Sequence, residues 1–383
     1  MRKLVVIAAV WIAAVPASAQ DTITVQADNP PVWGDATLVE ELRVGTLAGD
    51  ERYNFGLVVG IAEAPDGTIW VADRMAAGLR RYSADGTYLN QVGQRGDGPG
   101  EFQYLMDLRV TPEGEISAWD PMGQRITFFD LAGDVVGTTR VVTGGVMGNH
   151  QPYEVDSVGH HYIAWREERA FWMQVDREGA VQDTIWYPSS ARVGHVHPIR
   201  TMAVVSPDRG LIVGRNDEMA FTWTLADGRV ARVTRRAEPV EYTRDERTQA
   251  QERENVYSER WGDAPREIPR QKPLWSEFDV DAEGRIWVRR HVPPVRVQES
   301  ESERERREQI GNPEIRWAEP AVYDVLDPRG QFLGSVRVPN STWASPVDRL
   351  DLVLAHADVV WVVEKGDFGE DYVVRYRITP GPN

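Results

Sequence analysis

Pro65-Asp66-Gly67-Thr68-Ile69-Trp70-Val71-Ala72-Asp73 and Pro112-Glu113-Gly114-Glu115-Ile116-Ser117-Ala118-Trp119-Asp120 are two copies of one pattern. In each copy an acidic residue and a glycine precede a short run rich in apolar side chains. A second glycine turn follows each copy, at Gly86 and Gly133, and both pairs of corresponding glycines are 47 residues apart. Repetition at a fixed spacing of this length indicates a fold built by stacking one supersecondary unit.

Each unit predicts four short antiparallel strands. Asp-Gly and Glu-Gly pairs close hairpins because glycine accepts positive φ, and the flanking runs of Val, Ile, Trp, Tyr and Phe favour a sheet. The first turn recurs, with drift, at residues 157–159, 207–210, 281–284 and 356–358. Four strands in roughly 40–50 residues are typical of a propeller blade. The sequence therefore predicts an all-β protein, a six-bladed β-propeller with four-stranded antiparallel blades.

The ends of the chain predict how the ring closes. The last unit stops after its third strand, which ends near Ile378. A stretch near the N-terminus, residues 39–46, supplies a spare strand for that blade and would cover an edge that otherwise invites aggregation. We therefore expect residues 20–383 to form a single propeller domain.

The first nineteen residues predict a cleaved signal peptide. Arg2 and Lys3 precede an apolar run, and Ala17-Ser18-Ala19 supplies the small residues of a cleavage site. The apolar run is shorter than the roughly 20 residues that a membrane-spanning helix needs. We expect a secreted or periplasmic protein without membrane insertion.

The composition of the chain limits the kinds of partner that it can bind. The chain has no cysteine and a formal net charge of −16. Disulfides and thiolate metal ligands are therefore excluded, and the acidic balance disfavours nucleic acid. A small molecule, or a protein or peptide, remains as the expected partner.

One motif resembles a known family. Gly96-Asp97-Gly98-Pro99-Gly100-Glu101-Phe102, followed by Arg125-Ile126-Thr127-Phe128-Phe129-Asp130 and the turn at Gly133, is similar to the repeat of NHL-type six-bladed propellers. The secreted bacterial branch of that family is the best match. The resemblance implies the fold. It leaves function open, because members include protein-binding modules, sugar or lactone hydrolases and a metal-dependent lyase.

Two insertions interrupt the repeat. Residues 241–272 lie between the fourth and fifth units, and residues 293–317 lie inside the fifth. Both are charged and predicted to contain helices. The connections from a fourth strand to the next blade, and from a second strand to a third, emerge on one face of a propeller. We expect the insertions to meet there, on what we call the top face, as a possible lid.

Polar residues at the ends of the second strands form the first candidate site. They converge on the channel mouth at the top face, where a ligand can bind, although water-filled propeller channels are lined by polar groups in any case. The predicted ligand-binding residues are Asp73, Asp120, Trp165, Arg166, Asn216, Arg290 and Glu364. Asp73, Asp120, Asn216 and Glu364 also offer the oxygen ligands that calcium prefers.

Histidines in the top-face loops form the second candidate site. His195 and His197 alternate on an extended stretch, so both side chains point the same way, and His150 or His291 would add a third nitrogen. Three such ligands suit zinc with an open position, although loop histidines are also common on surfaces. No nucleophile elbow, phosphate-binding loop or dinucleotide fingerprint is present. The sequence predicts a ligand- or protein-binding propeller, with a metal-dependent lyase or hydrolase as the alternative.

Overall fold

The computed structural model describes residues 22–34, 36–141, 152–166, 170–187, 196–299, 301–342, 354–366 and 368–381. Within these ranges the strands form six blades of four antiparallel strands each, which confirms the predicted six-bladed propeller. The predicted signal peptide lies outside the described residues. In the described part of the chain, no helix combines the length and the apolar character that crossing a membrane requires.

The elements follow one another blade by blade. The N-terminal segment contains β1 (Thr22–Gln26) and β2 (Thr37–Val44), and a 3-10 turn (Glu51–Tyr53) leads into the ring. Blade one comprises β3 (Val58–Glu63), β4 (Ile69–Asp73), β5 (Gly78–Tyr82) and β6 (Tyr88–Val92). Blade two comprises β7 (Asp107–Val110), β8 (Ile116–Asp120), β9 (Arg125–Phe129) and β10 (Val135–Arg140). Blade three comprises β11 (Tyr153–Val155), β12 (His161–Arg166), β13 (Ala170–Val175) and β14 (Val181–Tyr187).

The second half of the ring carries the insertions. Blade four comprises β15 (Thr201–Ser206), β16 (Gly210–Arg215), β17 (Ala220–Thr224) and β18 (Val230–Thr234), and helix α1 (Arg244–Trp261) follows it. Blade five begins with β19 (Trp275–Val280) and β20 (Ile286–Arg290). Its insertion contains β21 (Val295–Arg296), α2 (Glu301–Gln309) and β22 (Trp317–Ala318), and the blade ends with β23 (Pro320–Leu326) and β24 (Phe332–Thr342). Blade six comprises β25 (Leu354–His356), β26 (Val359–Lys365) and β27 (Asp371–Thr379).

The N-terminal segment runs along the outer edges of three consecutive blades. Strand β1 pairs in parallel with β18 as a fifth strand of blade four. Asn29 then exchanges hydrogen bonds with the backbone of Phe332 in blade five, through its side-chain amide. Strand β2 finally pairs antiparallel with β27 as the outermost strand of blade six. One segment from near the N-terminus therefore holds the last three blades together along their outer edges.

The core lies between the blades. Each of six apolar clusters draws its side chains from two neighbouring blades, and the last of them joins blade six to blade one. Trp70, Trp287 and Trp361 share one position on the second strands and are essentially inaccessible to solvent. Burial of large aromatic side chains stabilises such interfaces. These indoles are therefore packing residues, and the ring requires no disulfide.

The interface between blades six and one also carries a polar contact. Glu63, at the end of β3, accepts hydrogen bonds from Trp361 Nε1 at 2.9 Å and from His356 Nε2 at 3.0 Å. The hydrogen bond from His356 holds the pKa of Glu63 below its ordinary value. The same bond raises the pKa of His356. Both groups are therefore charged together over a window of mildly acidic pH.

We predict that Glu63→Gln destabilises the protein in a pH-dependent way. The raised pKa of His356 contributes stability that is complete below about pH 6.5 and is lost as pH rises through the folded-state value. The lowered pKa of Glu63 contributes stability above about pH 4.5 that is lost on further acidification. Thermal melts should show a loss of about 2–4 °C at pH 5.5 and a smaller loss at pH 8.5. Glu113→Gln, which removes an exposed carboxylate in blade two, is the control. Equal losses at both pH values would contradict the role assigned to the pair.

Candidate functional site

The two insertions pack against each other. The Gln249 side chain of α1 accepts hydrogen bonds from the backbone N–H groups of Arg316 and Trp317, at 2.6 and 2.9 Å, and donates to the Trp317 carbonyl oxygen at 2.8 Å. An ion pair of 2.6 Å joins Arg316 to Glu252. We use the word lid for residues 241–272 and 293–317 together. The Gln249 contacts fix α1 against the β21–β22 pair.

Local sequence signals position the first turn of α1. Thr243 caps the helix, and its hydroxyl accepts a hydrogen bond from the Glu246 N–H group while Glu246 accepts one in return. This reciprocal arrangement is a capping box, which fixes where a helix begins. Gly262 ends the helix in the left-handed conformation, with φ of 70°. Glu246 is thereby held in the first turn of α1, where its carboxylate lies 2.5 Å from Lys272 Nζ.

A buried polar cluster lies between the lid and blades four and five. His197 precedes β15, His291 follows β20 directly, and Glu319 directly precedes β23. The ring centres of His197 and His291 are 4.4 Å apart. One ligand atom from each of the three residues lies within 4.8 Å of the others. Ends of strands from two blades thus place two imidazoles and one carboxylate together.

Hydrogen bonds orient the three side chains. Both carboxylate oxygens of Glu319 lie near His291 Nδ1, at 3.1 and 3.0 Å. His197 Nδ1 is 2.5 Å from the Tyr242 hydroxyl oxygen, and its Nε2 is 3.9 Å from Glu319 Oε1. His291 Nε2 is buried and, among the residues that the structure describes, has no hydrogen-bond partner. A buried imidazole nitrogen without a partner is unfavourable unless something else binds it.

His197 has an unusual backbone conformation and a shifted pKa. His197 has φ of 45°, a conformation uncommon for residues other than glycine. Burial lowers the pKa of His197 well below its ordinary value, and the neighbouring His291 lowers it further. His197 is therefore neutral near pH 7, which is the state that binds a metal.

The charge of Glu319 is stabilised by its surroundings. Burial alone raises the pKa of this carboxyl group. The hydrogen bond from His291 and the electrostatic interactions with His291, His197 and Lys272 outweigh burial and hold the pKa of Glu319 far below its ordinary value. The cluster therefore presents an ionised carboxylate beside two imidazoles, a donor set that transition metals bind well.

The structure brings together two of the four histidines predicted from sequence. His150 and His195 lie outside the described residues. Glu319 was missed because it lies two residues beyond the predicted second insertion and belongs to no recognisable motif. Tyr242, Glu246 and Lys272 were missed as well, although all three lie within the first insertion.

The channel-mouth residues have a different environment. Asp73 accepts hydrogen bonds from the N–H groups of Gly56 and Leu57, at 3.1 and 3.2 Å. Asp120 accepts equivalent bonds from Gln103 and Tyr104, at 2.7 and 3.0 Å. In both blades the acceptor lies 17 and 16 positions after the donors. These carboxylates hold the loop that enters their own blade.

Three of the remaining predicted residues also have partners within the protein. Asn216 binds the Arg200 N–H group and the Pro198 carbonyl oxygen, at 2.7 and 2.9 Å. Arg290 Nε lies 3.2 Å from Asp324 Oδ1, and Glu364 Oε2 accepts from Arg43 at 2.8 Å. Trp165 and Arg166 belong to β12, but their side chains lie outside the described part. Among the residues that are described, no hydrogen bond or ion pair joins the predicted channel-mouth residues to one another.

We predict that Asp120→Ala destabilises the propeller strongly. The Asp120 carboxylate is inaccessible to solvent and accepts a third hydrogen bond from the Gly123 N–H group at 2.8 Å. Leaving these donors unsatisfied should lower the free energy of unfolding by about 2–4 kcal/mol in urea denaturation. Asp134→Ala, which removes an exposed carboxylate in the same blade, should change it by less than about 0.5 kcal/mol. An Asp120 variant as stable as the control contradicts the loop-holding role.

Comparison with known proteins supports the fold. Residues 47–163 match a family model described as a 6-bladed beta-propeller, which agrees with the resemblance predicted from the glycine motifs. The chain is similar to a solved structure from Bacteroides fragilis named "Putative exported protein", with 11% identity and a TM-score of 0.51 over 93% of this chain and 99% of that one. It is also similar to a member of the duf4221 family from Bacteroides vulgatus, with 11% identity and a TM-score of 0.51 over 91% of this chain and 100% of that one.

A third similarity is weaker. Virginiamycin B lyase from Staphylococcus aureus shares 10% identity over 91% of this chain and 90% of that one, with a TM-score of 0.41. A similarity of this size does not connect the activity of the lyase with this chain. No curated protein matches the sequence. The comparisons therefore show a six-bladed propeller, and function has to be argued from the site.

Proposed function

We propose that the protein is an exported binding propeller that holds a divalent transition metal, best matched by zinc, beneath its lid on the top face. The observation that carries this proposal is the cluster of His197, His291 and Glu319. Three protein ligands leave a coordination position for a ligand or partner at the lidded face. Export is supported by the charged start, apolar run and small residues of positions 1–19.

The geometry of the cluster fits a small metal ion. Donor atoms bound at about 2.1 Å from one ion are at most about 4.2 Å apart. The three groups lie within 4.8 Å of one another, so a movement of less than about 1 Å would suffice. Because both Glu319 oxygens face His291 Nδ1, an ion bound by Glu319 would take this nitrogen of His291.

The donor chemistry favours zinc over calcium. Calcium prefers six to eight oxygen ligands, whereas this cluster offers imidazole nitrogens. The sequence also offers Asp73, Asp120, Asn216 and Glu364 as calcium ligands. The side-chain oxygens of the first three accept backbone N–H groups, and Glu364 accepts a hydrogen bond from Arg43. We therefore propose no calcium site on these residues.

A metal-dependent lyase or hydrolase is the second candidate. It is favoured by the same three-ligand set, because a bound metal with an open position can polarise a substrate or activate water. The residues of the chain would hold the metal and exclude bulk water beneath the lid. Loss of an activity with chelator, and its return with zinc, would separate this candidate from simple binding.

We predict about one zinc ion per chain in protein purified without chelator, measured by elemental analysis. His197→Ala, His291→Ala and Glu319→Gln should each weaken zinc binding by roughly 100-fold or more in calorimetric titration, because each removes one of three ligands. His160→Ala is the matched control, since this histidine pairs with Asp156 in blade three at 3.0 Å and lies outside the cluster. Zinc retained by all three cluster variants at the wild-type level would refute the site.

We also predict that Tyr242→Phe weakens zinc binding by about 10-fold to 100-fold. The Tyr242 hydroxyl is 2.5 Å from His197 Nδ1 and fixes the orientation of the ring. Tyr257→Phe, near the C-terminal end of α1, is the control and should bind zinc like the wild type. Circular dichroism spectra should match for all three proteins. Unchanged affinity in Tyr242→Phe would mean that the tyrosine does not orient the imidazole.

A further inference from the structure

Lys272 lies at the centre of the same cluster. Its side chain is fully buried, and its Nζ atom is 2.8 Å from Glu319 Oε1 and 2.5 Å from Glu246 Oε1. Nζ also lies 5.1 Å from the centre of the Tyr242 ring. Glu246 and Lys272 belong to the lid, whereas Glu319 belongs to the ring. A single ammonium group therefore joins the lid to one of the three proposed metal ligands.

Because Lys272 is buried, its positive charge needs nearby carboxylates to compensate it. A buried ammonium is stable only when carboxylates compensate it, and removing one partner of such a network leaves a costly uncompensated charge. Burial raises the pKa of Glu246, although the Lys272 ammonium acts to lower it. Without Lys272, the carboxylates of Glu246 and Glu319 would lose the cation that they share. Such a pair would gain strongly from another cation.

We propose that Lys272 sets the metal affinity of the cluster by competing with the metal for Glu319. This inference rests on the proposed metal-binding function. The same oxygen, Glu319 Oε1, faces the ammonium group at 2.8 Å and the His197 Nε2 atom at 3.9 Å. A metal bound there has to share the carboxylate with an existing positive charge, and the two cations repel each other.

The competition between Lys272 and the metal lowers the metal affinity of the site. In the absence of metal, the lysine neutralises Glu319 and holds the lid residue Glu246 close to the ring. Metal binding weakens the hold of Lys272 on Glu319, so the affinity is lower than the three ligands alone would give. Lys272 therefore keeps metal binding reversible. A ligand that reaches the top face meets a metal ion that can exchange.

Calorimetric zinc titration of Lys272→Met tests the inference. We expect at least a tenfold tighter dissociation constant than in the wild type, because the competing charge is gone. Zinc should also raise the melting temperature of this variant more than that of the wild type. Lys272→Arg, which keeps the charge, should bind zinc like the wild type. Lys365→Met is the matched control, since it removes the ammonium that pairs with Asp371 at 2.5 Å in blade six.

A second variant has an expected effect of the opposite sign, which distinguishes the inference from damage to the fold. Glu246→Gln removes the lid carboxylate, which leaves the ammonium to Glu319 alone, so zinc binding should become several-fold weaker. Damage to the fold would weaken binding in both variants, whereas the inference requires opposite directions. Equal or weaker binding in Lys272→Met, or tighter binding in Glu246→Gln, overturns the role of Lys272. Zinc binding absent from the wild type and from Lys272→Met alike would instead reject the proposed metal function.

Discussion

The pairing of β2 with β27 is the constraint on which the rest of the structure depends. Residues 37–44 complete the last blade, so the ring closes with a strand from one end of the chain beside a strand from the other. Closure allows every blade to bury both faces against a neighbour, and the six apolar clusters lie at those interfaces. Without disulfides, the burial of these faces is the main source of stability. Strand β1 pairs in parallel with β18, so the N-terminal segment also binds the outer edge of blade four.

The candidate site uses positions where the repeat is interrupted. A closed ring places the strand ends of blades four and five side by side, and this brings His197, His291 and Glu319 together from distant parts of the sequence. Tyr242, Glu246 and Lys272 of the lid lie against this cluster, which is mostly buried. Burial has two effects here. It keeps His197 neutral, and it raises the pKa of Glu319, so the neighbouring groups determine whether this carboxyl group is ionised. The regular blades thus form the frame, and the irregular segments contribute residues of the candidate site.

Sequence was sufficient for the fold because its determinants are local and repeated. Gly67, Gly86, Gly114 and Gly133 all adopt positive φ in tight turns, and their spacing alone indicates the blades. The site was only partly predictable. His197 and His291 were predicted from their place in top-face loops, but Glu319 has no local signature. The partners of Asp73 and Asp120 lie in the preceding loop, 16 and 17 residues away, which the pattern of a single strand does not reveal. The parallel pairing of β1 is equally invisible in a local pattern.

The most direct test of the metal assignment is a crystal structure of the protein grown with zinc, with anomalous diffraction recorded at the zinc edge. We expect one strong anomalous peak within bonding distance of His197, His291 and Glu319, with the lid closed over it or displaced from it. Zinc bound only elsewhere, for example at His160 or His356 on the opposite face, would contradict the assignment. In that case the buried cluster would be a polar contact that fastens the lid to the ring.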